Sequence, residues 1–504
     1  MTGRGVNLPL GDAAARGAAI TLLGQMSRVL IQALSLVVLA RLLSPEDYGL
    51  VALVAVAIGI GEVFRDFGLS QAAIQSPSLS RGQRDNLFWI NTAIGTVLAG
   101  ALIASASGLA GLMGDQRLAP IATSLSAVFV LNGASAQYRA DLTRRLMFNR
   151  LAMVEVLSPA LGLLVALTMA VSGLGYWALV GNQLVVAGTA ALMLPALGRW
   201  LPGGYARGEA MKDLLSFGGN LLGVQALLYG SRNIDRLIIG SSLGMATLGL
   251  YERAQQLFTL PLNQLNAPAN RVALPILARL QDDSARYCVF LVRGQAAILH
   301  LLTAIFGFSG VHASIIVDIA LGERWSAAAP ILQAFALAGF AQGAGYVTYW
   351  IFLSKGLTRA NLHFTLVTRP IMVAAIFFGS FWGAVGVAWG YSVALLLLWP
   401  LGIWWAGRVA QTPTRQLLTA GISCLAGYGI AAASSYLVVS LVALPNPYLE
   451  LLLGSAGFCL GTLLAALVLP RFREDLLSVL KLFPFLFRSR LKGKGERQPD
   501  ILER

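Results

Sequence analysis

Three charged residues lie in a stretch of this sequence that is long and apolar enough to cross a membrane. The stretch covers residues 217–240 and carries Arg232, Asp235 and Arg236. A charge at the centre of a bilayer costs roughly 2.5–3.5 kcal/mol on insertion scales, so these residues need either a function or a local partner. Carboxylates within membranes often bind cations or relay protons. The chemistry to be explained is therefore that of arginines and carboxylates inside a bilayer.

Charged residues recur inside other apolar runs, and each has two interpretations. The further basic residues are Arg28, Arg65, Arg253 and Arg369. Carboxylates stand near several of them, as in the pairs Glu62 with Arg65, Arg232 with Asp235, and Glu252 with Arg253. The alternative to a function is a locally neutralised pair with a structural role.

We favour a function for Arg232, Arg236 and Arg28. Arg28 has no carboxylate within a helical turn, and Arg236 has none that Arg232 does not share. For Arg65 and Arg253 both interpretations stay open. Arg369 is interpreted as structural.

The composition specifies the elements that position these charges. The chain has 504 residues, of which 57% are hydrophobic and 12% are charged, whereas about a quarter are charged in a soluble protein. Its mean hydropathy is +0.70. Apolar runs of about 20 residues match the length that a helix needs to span a bilayer. We predict an all-α, multi-pass membrane protein with fourteen spans, near 18–43, 49–72, 87–110, 117–138, 151–171, 175–198, 214–240, 247–270, 289–310, 327–352, 361–381, 384–407, 416–441 and 448–469.

The basic residues predict the orientation of these spans. Most of the 37 lysines and arginines fall in alternate loops and in the carboxy-terminal tail, whereas the intervening loops hold only Arg41, Arg117 and Arg324. Because cytoplasmic loops are enriched in basic residues, both termini are predicted to be cytoplasmic. The net charge of +14 then needs no nucleic-acid partner. We expect residues 476–487 to lie on the membrane surface, near anionic lipid, and the chain from Lys492 onward to be disordered.

An internal repeat divides the chain into two halves. LARLLSPEDYGLVAL (39–53) aligns with IGSSLGMATLGLYER (239–253), which places Gly49 over Gly249. Six spans per half give both halves the same membrane orientation, an arrangement found in many transporters with a central cavity. The predicted parts are an amino-terminal lobe at 1–200, a carboxy-terminal lobe at 201–410, two extra spans at 411–470 and a basic tail at 471–504.

LARLLSPEDYGLVAL and FRDFGLSQAAIQ (64–75) resemble the polysaccharide-transporter branch of the multidrug/oligosaccharidyl-lipid/polysaccharide (MOP) exporters, which includes the O-antigen flippases. The resemblance covers the whole chain. It implies transfer of a polyprenyl-pyrophosphate-linked oligosaccharide, such as an O-antigen, capsule or exopolysaccharide unit, across the bacterial inner membrane by alternating access. It also implies that spans 1, 2, 7 and 8 line the cavity.

This resemblance gives the charged residues predicted roles. Guanidinium groups bind pyrophosphate oxygens bidentately and stay protonated, so we predict pyrophosphate binding by the basic residues of the cavity spans, Arg28, Arg65, Arg232, Arg236 and Arg253. Asp235, Glu62 and Asp66 are predicted either to couple transport to Na⁺ or H⁺ or to balance the arginines. No other cofactor is expected. A polysaccharide polymerase and chain-length proteins are the predicted partners besides lipid. The aromatic residues that either stack on sugars or simply pack are Tyr229, Tyr346, Tyr349 and Trp350.

Two rival functions follow from the same sequence. An antiporter of small cations would need an acidic cavity, but the predicted cavity spans hold five arginines and four acids. A membrane polymerase or ligase would need a large catalytic outer loop, and the longest, near 311–326, is short. No P-loop, paired metal ligands or nucleophile elbow is visible, so we predict that the protein is not an enzyme.

Overall fold

The computed structural model describes residues 10–66, 69–75, 79–212, 229–230, 233–442 and 445–491. Within them every regular element is a helix, which confirms the predicted all-α class. The chain folds into two compact units, Met1–Gly249 and Leu250–Arg504. The boundary between the units falls inside a helix, and the lobe boundaries drawn from the repeat stay predictions.

The first unit contains nine helices in its described part and the start of a tenth. They are α1 (Leu10–Leu42), α2 (Pro45–Asp66), α3 (Leu69–Gln75), α4 (Arg81–Met113), α5 (Leu118–Leu125), α6 (Ala127–Arg144), α7 (Phe148–Val171), α8 (Trp177–Gly198), α9 (Ile234–Ser242) and the start of α10 (Met245–Arg279). Neighbouring pairs pack closely, α7 against α8 and α4 against α6.

The second unit contains the rest of α10 and eight further helices in its described part. They are α11 (Ser284–Val311), α12 (Ala313–Leu321), α13 (Ala329–Ser354), α14 (Thr358–Ser380), α15 (Gly383–Ala410), α16 (Thr414–Leu441), α17 (Pro447–Val468) and α18 (Pro470–Leu491). A 3₁₀ turn at Glu323–Ala328 leads into α13. The first turns of α18 bury Phe472 between His300 and Tyr428.

Twelve of the fourteen predicted spans are present, in the described part of the chain, as segments long and apolar enough to cross a membrane. The predicted seventh span, 214–240, lies mostly outside the described residues; α9 is its end. The predicted eighth span, 247–270, is helical within α10 but is not among the twelve, because polar side chains and the prolines Pro261 and Pro268 lower its hydropathy. The count of fourteen therefore stays a prediction.

The repeat is visible in a reciprocal contact inside the first unit. A Cβ added at Gly49 would overlap the carbonyl oxygen of Met245, and one added at Gly249 would overlap the carbonyl oxygen of Pro45. The two contacts exchange residues 200 positions apart in the chain, as a two-fold relation between α2 and the start of α10 requires. Glycine is needed at both positions because no side chain fits between the backbones.

The segment after α8 is fixed to the start of α4. Asn86 of α4 donates to the carbonyl oxygen of Ala206 at 2.8 Å and accepts from its backbone N–H at 2.7 Å. The indole of Trp89 donates to the carbonyl oxygen of Gly203 at 2.7 Å. Arg84 stacks on Trp200, with 4.1 Å from the guanidinium carbon to the ring centroid. Residues 200–206 are thereby held on the first unit.

An ion-pair cluster joins the start of α2 to the loop before α5. Arg117 pairs with Asp115 at 2.7 Å and with Glu46. The hydrogen bonds from Arg117 hold the pKa of Asp115 below its ordinary value. These residues lie outside the twelve candidate spans, except for Glu46 in the first turn of α2.

Candidate functional site

The end of α2 carries a partly buried ion pair with a third polar partner. Arg65 donates from Nε to Oε2 of Glu62 at 2.6 Å, and Asn132 of α6 donates from Nδ2 to Oε1 of Glu62 at 2.9 Å. The Arg65 side chain is only 11% exposed. Its Nη1 is buried and has no hydrogen-bond partner among the described residues. Glu62 thus neutralises Arg65 while one guanidinium nitrogen remains available to a further acceptor.

A second charged group forms at the start of α9. Asp235 is 3% exposed, and its Oδ1 accepts from the backbone N–H of Arg236 at 2.9 Å. The guanidinium of Arg236 donates to Oδ1 of Asn233, and Asn233 donates from Nδ2 to the carbonyl oxygen of Tyr229 at 2.9 Å.

The structure places the second charged group beside α2, the helix that carries the first. α9 packs on α2 inside the first unit, and the Tyr229 hydroxyl occupies the space that a side chain at Gly59 would need. Gly59 lies one turn before Glu62 on α2. Among the described side chains of the two groups, the acids (Glu62 and Asp235) and the arginines (Arg65 and Arg236) are equal in number.

Arg28 of α1 has a partner that its own helix does not supply. Its Nη1 lies 3.7 Å from Oε2 of Glu155 on α7, whose other oxygen lies 3.8 Å from Nη1 of Arg139 on α6. The Arg28 side chain is 48% exposed, and such exposed pairs contribute little to stability. Glu155 was missed as a candidate, although it is a lone carboxylate in a predicted span.

The other predicted site residues lie elsewhere or outside the described part. Arg253 is half-buried near the start of α10, in the second unit. Arg232 lies outside the described residues, as does the side chain of Asp66, the last residue of α2. Asn132 and Asn233 were missed by sequence reasoning, since a single asparagine gives no signal there. The roles of the predicted site residues stay predictions.

Twelve helical segments in the described part of the chain are long and apolar enough to cross a membrane, which defines a multi-pass membrane protein. The family comparison is more specific, because the model of the polysaccharide biosynthesis protein family matches residues 38–330, more than half of the chain. The chain belongs to that family.

Two curated relatives have named roles in polysaccharide synthesis. The lipopolysaccharide biosynthesis protein WzxC of Escherichia coli (strain K12) is 26% identical over 384 residues, which cover 74% of this chain and 77% of WzxC. The teichuronic acid biosynthesis protein TuaB of Bacillus subtilis (strain 168) is 27% identical over 400 residues, which cover 77% of this chain and 81% of TuaB.

Solved structures confirm the predicted fold. The lipid II flippase MurJ in an inward closed conformation matches with a TM-score of 0.69 and 13% identity, covering 91% of this chain and all of that one. An inward-facing multidrug resistance MATE family transporter of the MOP superfamily matches with a TM-score of 0.56 and 14% identity, covering 78% of this chain and 98% of that one. At these identities the likeness shows the fold alone.

Proposed function

We propose that the protein is a flippase that carries a polyprenyl-pyrophosphate-linked oligosaccharide from the inner to the outer leaflet of the bacterial inner membrane by alternating access. The observation that carries this proposal is the partly buried Glu62–Arg65 pair, which leaves one buried guanidinium nitrogen without a partner among the described residues, in a chain of a polysaccharide biosynthesis family. The names of the relatives support it: WzxC in lipopolysaccharide synthesis, TuaB in teichuronic acid synthesis and MurJ as a lipid II flippase.

The arginines supply the chemistry for an anionic head group. A pyrophosphate oxygen can accept from Nη1 of Arg65 while Nε stays bonded to Glu62, so binding need not break the pair. Arg236 holds a neutral amide through its guanidinium, and a phosphate would be a stronger acceptor than that amide. In this proposal Arg28, Arg232 and Arg253 provide further contacts with the pyrophosphate.

The carboxylates provide a means of ion coupling. Asp235 is buried and Glu62 is partly buried, each beside an arginine, and protonation or Na⁺ binding at either would weaken its interaction with the neighbouring cation. Release of Arg65 from Glu62 would then raise the affinity of the site for pyrophosphate. We propose H⁺ or Na⁺ as the coupling ion, with Asp66 as a third candidate carboxylate.

In the same proposal both termini lie in the cytoplasm. A polymerase with chain-length proteins receives the product outside.

A deletion strain tests the function. Loss of the protein should abolish the surface polymer and leave the lipid-linked unit accumulating on the cytoplasmic side, protected from a periplasmic glycosidase in spheroplasts. Accumulation on the periplasmic side would indicate a polymerase or ligase instead. Unchanged polymer together with sensitivity to cationic drugs would indicate an antiporter.

The site is tested by variants in the same strain. Arg236→Ala should abolish polymer export at normal protein level, whereas Arg324→Ala, at an exposed position in the 3₁₀ turn, should export normally. Normal export by Arg236→Ala would contradict the assignment of this arginine to the pyrophosphate.

A further inference from the structure

A row of polar side chains on α10 has no role so far. Its members recur every three or four residues, which places them on one face of the helix: Glu252, Gln256, Thr259, Asn263, Asn266 and Asn270. All members of the row after Glu252 are uncharged. The three prolines of α10, Pro261, Pro268 and Pro275, fall on a different face. The row thus forms a continuous polar stripe along one face, and Gln255 and Gln264 are further amides of α10 outside it.

Contacts with α13 show how the row lies in the second unit. Phe258 of α10 stacks on Phe335 of α13 with 4.9 Å between ring centroids, and Trp350 of α13 donates from Nε1 to Oδ1 of Asn270 at 2.7 Å. Both pairs advance in the same direction along the two helices, so α10 and α13 run parallel. Asn266, one turn before Asn270, is then level with Tyr346, one turn before Trp350.

Polar atoms along these helices are buried without partners. Among the described residues no hydrogen bond reaches Oε1 of Gln256, Oδ1 of Asn266, Oε1 of Gln342 or the hydroxyl of Tyr346. Gln295 of α11 is 1% exposed, and both of its amide atoms are likewise unbonded. Gln295 adjoins Gly294, where an added Cβ would lie 3.2 Å from the Trp350 ring. Since buried polar groups are rarely left unbonded, this region calls for a polar occupant.

The repeat shows that the fold does not require polar residues at the first four positions of the row. At the positions 200 residues earlier, α2 has Ala52, Val56, Gly59 and Val63 where α10 has Glu252, Gln256, Thr259 and Asn263. Asn266 and Asn270 differ in this respect, because the residues 200 positions earlier, Asp66 and Ser70, are also polar. The polar side chains at the first four positions therefore distinguish the second half from the first.

We propose that this region, which we call the amide seam, binds the oligosaccharide part of the substrate; the proposal rests on the proposed flippase function. The amide seam consists of Gln256, Thr259, Asn263 and Asn266 on α10 with Gln342, Tyr346 and Tyr349 on α13. Amides and hydroxyls both donate and accept, as sugar hydroxyls do. Tyr349 is 41% exposed and offers an aromatic face to a sugar ring. The seam carries no charge, which suits a glycan and leaves the pyrophosphate to the arginines.

Binding by the purified full-length protein in nanodiscs tests the amide seam. The two probes are undecaprenyl pyrophosphate and the same lipid carrying the oligosaccharide unit that the source organism makes. Asn266→Leu should weaken binding of the glycan-bearing probe by about tenfold and leave binding of the bare lipid unchanged. Tyr346→Phe, which removes one hydroxyl only, should act in the same direction. Gln264→Leu, an amide of α10 outside the row, is the matched control and should change neither affinity.

Each outcome separates the amide seam from the flippase function. If Asn266→Leu and Tyr346→Phe bind the glycan-bearing probe as tightly as the wild type does, the amide seam is overturned, whereas the proposed flippase function is not. Equal losses of affinity for both probes would also overturn the amide seam. A variant whose affinity differs from that of the wild type only in its dependence on sodium concentration would overturn it as well, because that result would indicate a cation site. If the wild type binds neither probe, the flippase function fails and the seam fails with it.

Discussion

The helices α2 and α10 occupy equivalent places in the repeat and carry different chemistry. Near its end α2 carries Glu62 and Arg65, a pair with opposite charges, whereas the first four positions of the polar row have small or apolar equivalents on α2. On α10 the residues equivalent to that pair are Leu262 and Leu265, and the amides stand on another face. The backbone is shared, whereas the face and the kind of polar group are not.

This difference indicates a division between two kinds of ligand group. The partly buried ion pair is neutral as a whole and interacts with a further charged group, here the pyrophosphate or a coupling ion. Amides need no counter-ion and recognise hydroxyls through direction rather than charge. A lipid-linked oligosaccharide contains both kinds of group, and the two halves of the repeat would each bind one of them.

The largest expected effect comes from breaking the ion pair on α2. Glu62→Leu leaves the largely buried Arg65 without its partner. Removing one member of a fully buried pair costs about 3–5 kcal/mol, which is the upper limit for this partly exposed pair. Heating in detergent, followed by size-exclusion chromatography, should show a markedly lower melting temperature. The double variant Glu62→Leu/Arg65→Leu should recover most of the stability, since no unpaired charge remains.

The same double variant decides between the structural and the functional interpretation of Arg65. If it folds and no longer exports polymer, Arg65 acts on the substrate. Normal export by a stable double variant would leave the pair with a structural role only. A single variant Glu62→Leu as stable as the wild type would show that the pair is not buried as described.

A smaller effect is expected at the reciprocal glycines. Gly49→Ala and Gly249→Ala each place a methyl group against a backbone carbonyl, and such overpacking costs about 1–3 kcal/mol. Because the two contacts are equivalent, the two losses in melting temperature should be similar. Gly108→Ala in α4, where nothing lies within 4 Å of an added Cβ, is the control and should not destabilise. Clearly unequal losses would argue against a two-fold relation.

Arg28 should affect export more than stability. Its pair with Glu155 is exposed and long, so Arg28→Ala should cost no more than about 1 kcal/mol of stability. Polymer export should nevertheless fall if Arg28 contacts the pyrophosphate. Glu155→Gln, which removes the partner and keeps Arg28, should export at least as well as the wild type. Equal export by the wild type, Arg28→Ala and Glu155→Gln would contradict the assignment of Arg28 to the pyrophosphate site.

The smallest effect concerns the pH dependence of the surface cluster at Arg117. Arg117 lowers the pKa of Asp115 in the folded protein from its ordinary value of 3.8, so the ionised carboxylate stabilises the fold above that pH. The contribution is lost as the pH falls through the lowered pKa. The difference in melting temperature between the wild type and Asp115→Asn should therefore be small at neutral pH and vanish in acid. A difference that grows in acid would contradict the pairing.

The sequence predicted the features that depend on local pattern. Twelve of the predicted spans agree with the structure, because about twenty consecutive apolar residues are typical of a membrane-spanning helix. The contact between Glu62 and Arg65 followed from their spacing of three residues on a helix. Gly49 and Gly249 were aligned by the repeat, and the structure gives that alignment a physical meaning.

Features that depend on distant partners could not be predicted in this way. Arg28 meets Glu155, and Glu62 meets Asn132, across 127 and 70 positions of chain, which no local spacing encodes. The polar row of α10 was present in the sequence, but attention to its two charges, Glu252 and Arg253, left the neutral amides unnoticed. Their significance depends on which atoms remain unbonded after packing, and packing is known only from the structure.

The contact between Gly249 and Pro45 also bears on how the protein is made. The first unit receives its last packing contact from residues 245–249, close to the midpoint of a chain of 504 residues. The ribosome must therefore synthesise about half of the protein before this unit can close. Until then the backbone of α2 around Gly49 lacks the neighbour that covers it in the folded unit.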